Sequence, residues 1–131
     1  MTVVNAGANI GLLSLFFSRR VGKSGKIYAF EPSKKIFIRL VEHIKSNQVT
    51  NIEGLCLALG AKHGSAEVVD NERDTSRIFL KSRLSGSCEA PSVTVRTLDA
   101  FANSGRLQRI DFLKIDVEGY ESEILAGRGT S

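Results

Sequence analysis

Short apolar runs alternate with amphipathic stretches through the first half of this chain, a rhythm that predicts α/β architecture. Thr2–Ala6 is a β-branched run that reads as a strand. A helix is expected over Asn9–Val21, where Leu12, Leu13, Phe16 and Phe17 fall in adjacent pairs at helical spacing. Gly22-Lys23-Ser24-Gly25 is a turn, and Lys26–Phe30 a second strand. Pro32-Ser33 opens the next helix, with Ser33 as its N-cap. Ile36, Phe37, Leu40, Val41 and Ile44 then make one apolar face of a helix that ends near Asn47. A third strand is expected over about Ile52–Ala58.

The middle of the chain changes character. Ser65–Val69, Ser76–Lys81 and Ser92–Arg96 read as strands joined by polar loops, which suggests an antiparallel hairpin or a small added sheet. Thr97 is placed to cap a short helix through Phe101. Asp111–Ile115 is almost wholly apolar apart from Lys114, the pattern of a central parallel strand buried on both faces. Glu118-Gly119 turns into a last helix through about Leu125.

The candidate chemistry lies at the strand ends. Gly7-Ala8-Asn9-Ile10-Gly11 joins the first strand to its helix, and Glu31 closes the second strand. Strand, glycine loop, helix, strand and acid, in that order, are how an open α/β sheet holds the nucleoside of a cofactor. Glycine lets the backbone turn sharply and approach a ligand. The helix start offers free N–H groups, and the carboxylate can accept from two ribose hydroxyls. Asn9 stands where a dinucleotide fingerprint has its second glycine. A side chain there crowds a pyrophosphate and suits a ligand without phosphate, such as S-adenosylmethionine, although spacing alone leaves a dinucleotide open. Asp116 and Glu118 follow the fourth parallel strand, at the end of the sheet where ligands bind. Plainer readings stand beside these: a tight turn at Gly7 and Gly11, a helix N-cap at Asn9, a favourable charge at a helix start for Glu31, and caps of the last helix for Asp116 and Glu118.

Several stretches together resemble the FkbM-type methyltransferase family. They are Asn5–Gly11, Tyr28-Ala29-Phe30-Glu31-Pro32, Leu57-Ala58-Leu59-Gly60, Thr97-Leu98-Asp99 and, most specific, Ile110–Glu121. The resemblance implies a Rossmann-like fold with parallel strands in the order 3-2-1-4 and a small antiparallel insertion. It also implies methyl transfer from S-adenosylmethionine, usually to a hydroxyl oxygen, here of a small molecule or carbohydrate. The cofactor residues so implied are Asn5, Gly7, Asn9, Gly11, Glu31, Ala58, Leu59, Asp116 and Glu118, with Ala58 and Leu59 near the adenine. Asp116 is the candidate catalytic residue, placed to orient or deprotonate the acceptor hydroxyl. The chain departs from the family at Asn5, where aspartate is usual, and at Ala61, where an acid usually follows Leu59-Gly60. The family also continues well past Gly127, so residues 1–131 read as a single partial domain, the cofactor-binding half, truncated at its carboxyl end. A dinucleotide-dependent oxidoreductase and a non-catalytic cofactor-binding remnant are the alternatives.

Composition narrows the picture only a little. The 131 residues, 42% hydrophobic and 24% charged, suit one ordinary globular domain. No apolar run approaches the roughly 18 residues of a membrane helix, and no secretory leader is visible. These features lead to the expectation of a cytoplasmic protein without a membrane partner. The net charge of +4 comes from scattered lysines and arginines, with no Trp interleaved. That describes solvated faces rather than a nucleic-acid surface. Cys56 reads as a small buried hydrophobe and Cys88 as a loop residue, with no zinc spacing between them. No third ligand accompanies Asp116 and Glu118, so no metal is expected. His43 and His63 have no partners at ligand or triad spacing and read as surface residues.

Overall fold

The protein, as a computed structural model, is described over residues 1–70, 78–82 and 92–115. Strands β1 (Thr2–Ala6), β2 (Lys26–Phe30) and β3 (Ile52–Leu55) alternate with helices α1 (Leu12–Val21) and α2 (Lys34–Ser46). After β4 (Ala58–Leu59), β5 (Gly64–Asp70), β6 (Ile78–Ser82), β7 (Ser92–Arg96) and helix α3 (Leu98–Phe101), the chain returns as β8 (Phe112–Ile115). The parallel sheet runs β3-β2-β1-β8, so the expected 3-2-1-4 order holds, with β8 as its fourth strand. The register is unbroken, from Thr2 opposite Lys26 to Ala6 opposite Phe30 and from Val3 opposite Phe112 to Ala6 opposite Ile115.

The central strands bury both faces, and the two-residue period of a strand divides their side chains. Val3, Ile27 and Ala29 pack with Leu40, Phe37 and Ile44 of α2 and with Leu15, Phe17 and Val21 of α1. Val4, Ala6, Tyr28 and Phe30 point the other way, onto Leu59, Leu98, Phe101 and Leu107. Phe101 is fully buried. Its ring meets Tyr28 at 5.3 Å and Phe30 at 4.9 Å between centroids, both edge-on, the arrangement that aromatic quadrupoles favour. Thr97 caps α3 as expected, its hydroxyl accepting from the Ala100 N–H at 3.1 Å. A wide turn then ends at Gly105, whose φ is +88°.

The expected insertion is a second sheet, in the order β4-β7-β5-β6. β5 pairs antiparallel with both β6 and β7, and β4 joins β7 in parallel. This changes the third strand. Ile52–Ala58 is not one strand: it breaks at Cys56-Leu57, and Ala58 and Leu59 belong to the other sheet. Cys56 therefore lies in a connection rather than a strand. It is half-buried, with Sγ 3.9 Å from the Pro32 carbonyl.

Two further expectations change. The apolar pairs of α1 split: Leu12, Leu13 and Phe16 are 68%, 42% and 54% exposed, whereas Phe17 packs on the core beside Leu15 and Val21, and Ser14 and Ser18 are buried. β8 is not buried on both faces either. Phe112 is 45% exposed, Leu113, Lys114 and Ile115 are half-buried, and among the described residues β8 pairs only with β1. The expected helix after Glu118, residue Cys88 and the turn between β5 and β6 lie outside the described residues.

Candidate functional site

β1 and β2 end side by side, and their register carries the glycine loop and Glu31 to the same carboxyl edge. β1 is also where the sheet changes direction, with β2 on one side and β8 on the other. Crevices at such switch points hold ligands in open α/β sheets. The loop starts by folding over β2: the N–H groups of Gly7 and Ala8 both donate to the Phe30 carbonyl at 2.9 Å. Gly7, Asn9 and Gly11 then take left-handed φ values of +83°, +54° and +95°. Glycine adopts these without strain, and asparagine tolerates them better than most residues. Gly11 has a second reason to be glycine, since a Cβ there would lie 2.5 Å from Leu40 Cδ1. α1 starts only at Leu12, and its N-cap is Gly11 with no side-chain bond. The N-cap reading of Asn9 is therefore set aside, and no side chain caps the first N–H groups of α1.

Glu31 is 2% exposed. Its Oε1 accepts from the Asn9 N–H and its Oε2 from the Ser33 N–H, each at 2.9 Å. One carboxylate thus clamps the loop to the start of α2, while Ser33 caps that helix through its hydroxyl. Burial pushes the Glu31 carboxyl above its ordinary value of 4.5, and the two backbone hydrogen bonds pull against that rise. A carboxylate offers about four acceptor sites, so each oxygen keeps capacity for a further donor.

Asn5 sits two residues before the loop's first glycine and is 1% exposed. Its Nδ2 donates to Ser14 Oγ at 3.0 Å, and its Oδ1 is buried without a hydrogen-bond partner. The structure thus brings Asn5, Gly7, Asn9, Gly11 and Glu31 together. Ala58 and Leu59 are both buried in β4, opposite Val95 and Arg96, and Leu59 shares an apolar cluster with Ala6 and Phe30, which precede the loop and Glu31. Asp116 and Glu118 lie outside the described residues. Ile115, the last described residue of β8, is opposite Ala6 at the loop end of the sheet.

His43 corrects its expected place on the surface. It is half-buried, and its Nδ1 meets the Ile10 carbonyl in the middle of the glycine loop at 2.6 Å. The only sequence signal for this is its place at i+3 from Leu40 on the apolar side of α2. A pocket lined by Leu98, Ala102, Leu107 and Phe112 opens at the other, amino end of β8 and plays no part in this cluster.

A parallel sheet with a switch point, a glycine loop and an acid closing β2 defines a Rossmann-like cofactor-binding domain. The chain belongs to the methyltransferase FkbM domain family, whose model matches residues 5–131. It is 27% identical over 143 aligned residues to Methyltransferase 1 of Beauveria bassiana, covering 95% of this chain and 57% of that protein. It is 30% identical over 125 residues to the hexuronic acid methyltransferase AglP of Haloferax volcanii, covering 94% of this chain and 48% of that one. The chain therefore spans about half the length of these curated relatives. The crystal structure of methyltransferase FkbM from Methylobacillus flagellatus KT superposes with a TM-score of 0.63 at 18% identity, over 96% of this chain and 28% of the other, a likeness of fold.

Proposed function

We propose that this chain carries the cofactor half of an S-adenosylmethionine-dependent methyltransferase that acts on a hydroxyl of a small molecule or carbohydrate. The observation that carries the reading is the Glu31 carboxylate at the end of β2. It locks the glycine loop in place and keeps one acceptor position on each oxygen. Paired ribose hydroxyls match that donor requirement. The fit extends to Asn5, whose buried, unpartnered Oδ1 lies at the base of the same loop. Gly7 leaves the backbone bare where an adenosyl group would approach, while Gly11 lets the loop close on Leu40. When bound, S-adenosylmethionine supplies a methyl group on a cationic sulfur, so little covalent chemistry is asked of the protein. Its residues bind, align and exclude water. Asp116, next in sequence after β8, is our candidate to orient the acceptor hydroxyl or take its proton. The carbohydrate part of the reading draws on AglP, named for hexuronic acid. The free Cys56 thiol suits a reducing, cytoplasmic setting.

Calorimetry with S-adenosylhomocysteine and, separately, NAD tests the reading. Binding of the first and not the second is expected. Glu31→Gln keeps the side chain's size but turns one acceptor into a donor, and it should weaken binding by about 1.5–3 kcal/mol. A protein that prefers NAD, or a variant that binds as well as wild type, would overturn the assignment.

A further inference from the structure

We propose that His43 is a positioning residue of the cofactor loop, pinning the Ile10 carbonyl so that the Asn9–Gly11 turn keeps the shape that receives the adenosyl ligand. The proposal rests on the cofactor reading above. A loop with three left-handed residues is held by its surroundings, because two of the three are glycines with many alternatives open to them. The surroundings here come largely from the β2–α2 corner. Glu31 takes the Asn9 N–H at 2.9 Å, Leu40 closes against Gly11, and His43 Nδ1 meets the Ile10 carbonyl at 2.6 Å. Leu40 and His43 are three residues apart on α2 and so share a face.

Each contact restrains a different part of the loop. Glu31 fixes the peptide before Asn9, and Leu40 limits how far Gly11 can move towards α2. Neither bonds the Ile10–Gly11 peptide, which leads into Gly11, the N-cap of α1. His43 does. A carbonyl only accepts, so Nδ1 carries the hydrogen. The peptide plane is thereby turned with its oxygen towards α2. On the far side the Gly11 N–H returns to the Ala8 carbonyl at 3.1 Å, which closes the turn. Without the imidazole that plane rests on the loop's own Gly11–Ala8 bond, so it turns more readily and carries the uncapped start of α1 with it, while the packing of Leu40 and the Glu31 clamp persist.

The test compares wild type with His43→Ala, His43→Asn and His43→Gln. Asparagine places an amide N–H close to the position of Nδ1, whereas the amide of glutamine falls near Nε2, beyond reach of Ile10. Two readouts are taken well below the unfolding temperature of each variant: the Kd for S-adenosylhomocysteine, and amide hydrogen exchange of residues 9–12 in the free protein. His43→Ala and His43→Gln should each weaken binding about tenfold, equivalent to about 1.4 kcal/mol, and speed exchange in the loop alone. His43→Asn should restore both. A purely structural role would lower the unfolding temperature but leave the Kd unmoved, and that result overturns the proposal. So does exchange that rises throughout the sheet, or a failure of His43→Asn to rescue. If wild type binds and the loop is indifferent to residue 43, this proposal alone fails. If wild type does not bind S-adenosylhomocysteine, the cofactor reading fails and takes this proposal with it.

Discussion

The two helices that flank the loop reach the same face of the sheet by different means. α2 does it as its sequence suggests: Ile36 and Leu40 are buried, Phe37, Val41 and Ile44 half-buried, and its lysines point outward. α1 sets two buried serines against the sheet beside the half-buried Leu15, Phe17 and Val21. Ser14 takes the Asn5 amide, and Ser18 bonds the Asn51 side chain, whose Nδ2 in turn closes the carbonyls of Ser18 and Gly22 at 3.1 and 2.9 Å. The contrast teaches that α2 is held mainly by area, and α1 by the half-buried Leu15, Phe17 and Val21 together with direction. Apolar burial is large but tolerates sliding, whereas hydrogen bonds fix an angle and a depth. The helix that presents its amino end to the loop is the one that direction helps to hold.

The comparison predicts a ladder of effects. Leu40→Ala should be the most damaging substitution in either helix, lowering unfolding free energy by about 2–5 kcal/mol, measured by denaturant titration. A loss under about 1 kcal/mol would mean that area does not hold α2. Ser14→Ala comes next. It leaves the buried Asn5 amide with neither end partnered, a penalty of about 1–3 kcal/mol, and the shift of α1 should show in the chemical shifts of residues 11–15. Asn51→Ala removes the closure of the carboxyl end of α1, and about 0.5–2 kcal/mol is expected by analogy with helix caps. Phe16→Gln should change stability by no more than about 0.5 kcal/mol, because the ring is 54% exposed and its contacts with Phe17 and Arg20 lie at the surface. A large loss there would reverse the assignment of faces on α1.

Titration sharpens the contrast at the joint between the helices. Glu31 has its folded-state carboxyl raised by burial above the ordinary 4.5. Between the ordinary and the raised value the folded protein holds a proton that the unfolded chain has released. Its contribution to stability is therefore complete below the ordinary value and is lost as pH rises through the folded value. Glu31→Gln should flatten the fall in stability just above the ordinary value, measured by thermal unfolding across a pH series. Asp111 behaves in the opposite sense. The Thr2 N–H and then Arg109 hold its carboxyl below the ordinary range. Its contribution is present above the unfolded value and lost as pH falls through the folded one.

What was legible in the sequence had local causes. β1, β2 and β7 match their expected spans residue for residue, because β-branched and aromatic runs bounded by glycine or charge leave few alternatives. The caps at Ser33 and Thr97 lie three residues from their partners and were equally plain. The glycine loop and Glu31 were found as a pair because the βαβ unit fixes their separation. What escaped had partners far along the chain. Ser18 meets Asn51 and His43 meets Ile10 across 33 residues each, and no periodicity reports such a pairing. The apolar pairs of α1 misled in part for the same reason: the helix, anchored by distant polar groups, turns Leu15, Phe17 and Val21 inward and leaves Leu12, Leu13 and Phe16 exposed. The break at Cys56-Leu57 was hidden because both halves are strands, each with its own sheet.

The contact between Gly11 and Leu40 makes two distant positions a single unit of change. Any side chain at 11 needs both a smaller residue at 40 and a backbone that accepts φ +95°. Only the first need can be met by substitution elsewhere. The pair is thus asymmetric under mutation: residue 40 can shrink without strain at residue 11, losing only its own packing, but residue 11 gains little freedom when 40 shrinks. In combined substitutions the departure from additivity would measure the steric share of that constraint and leave the dihedral share untouched.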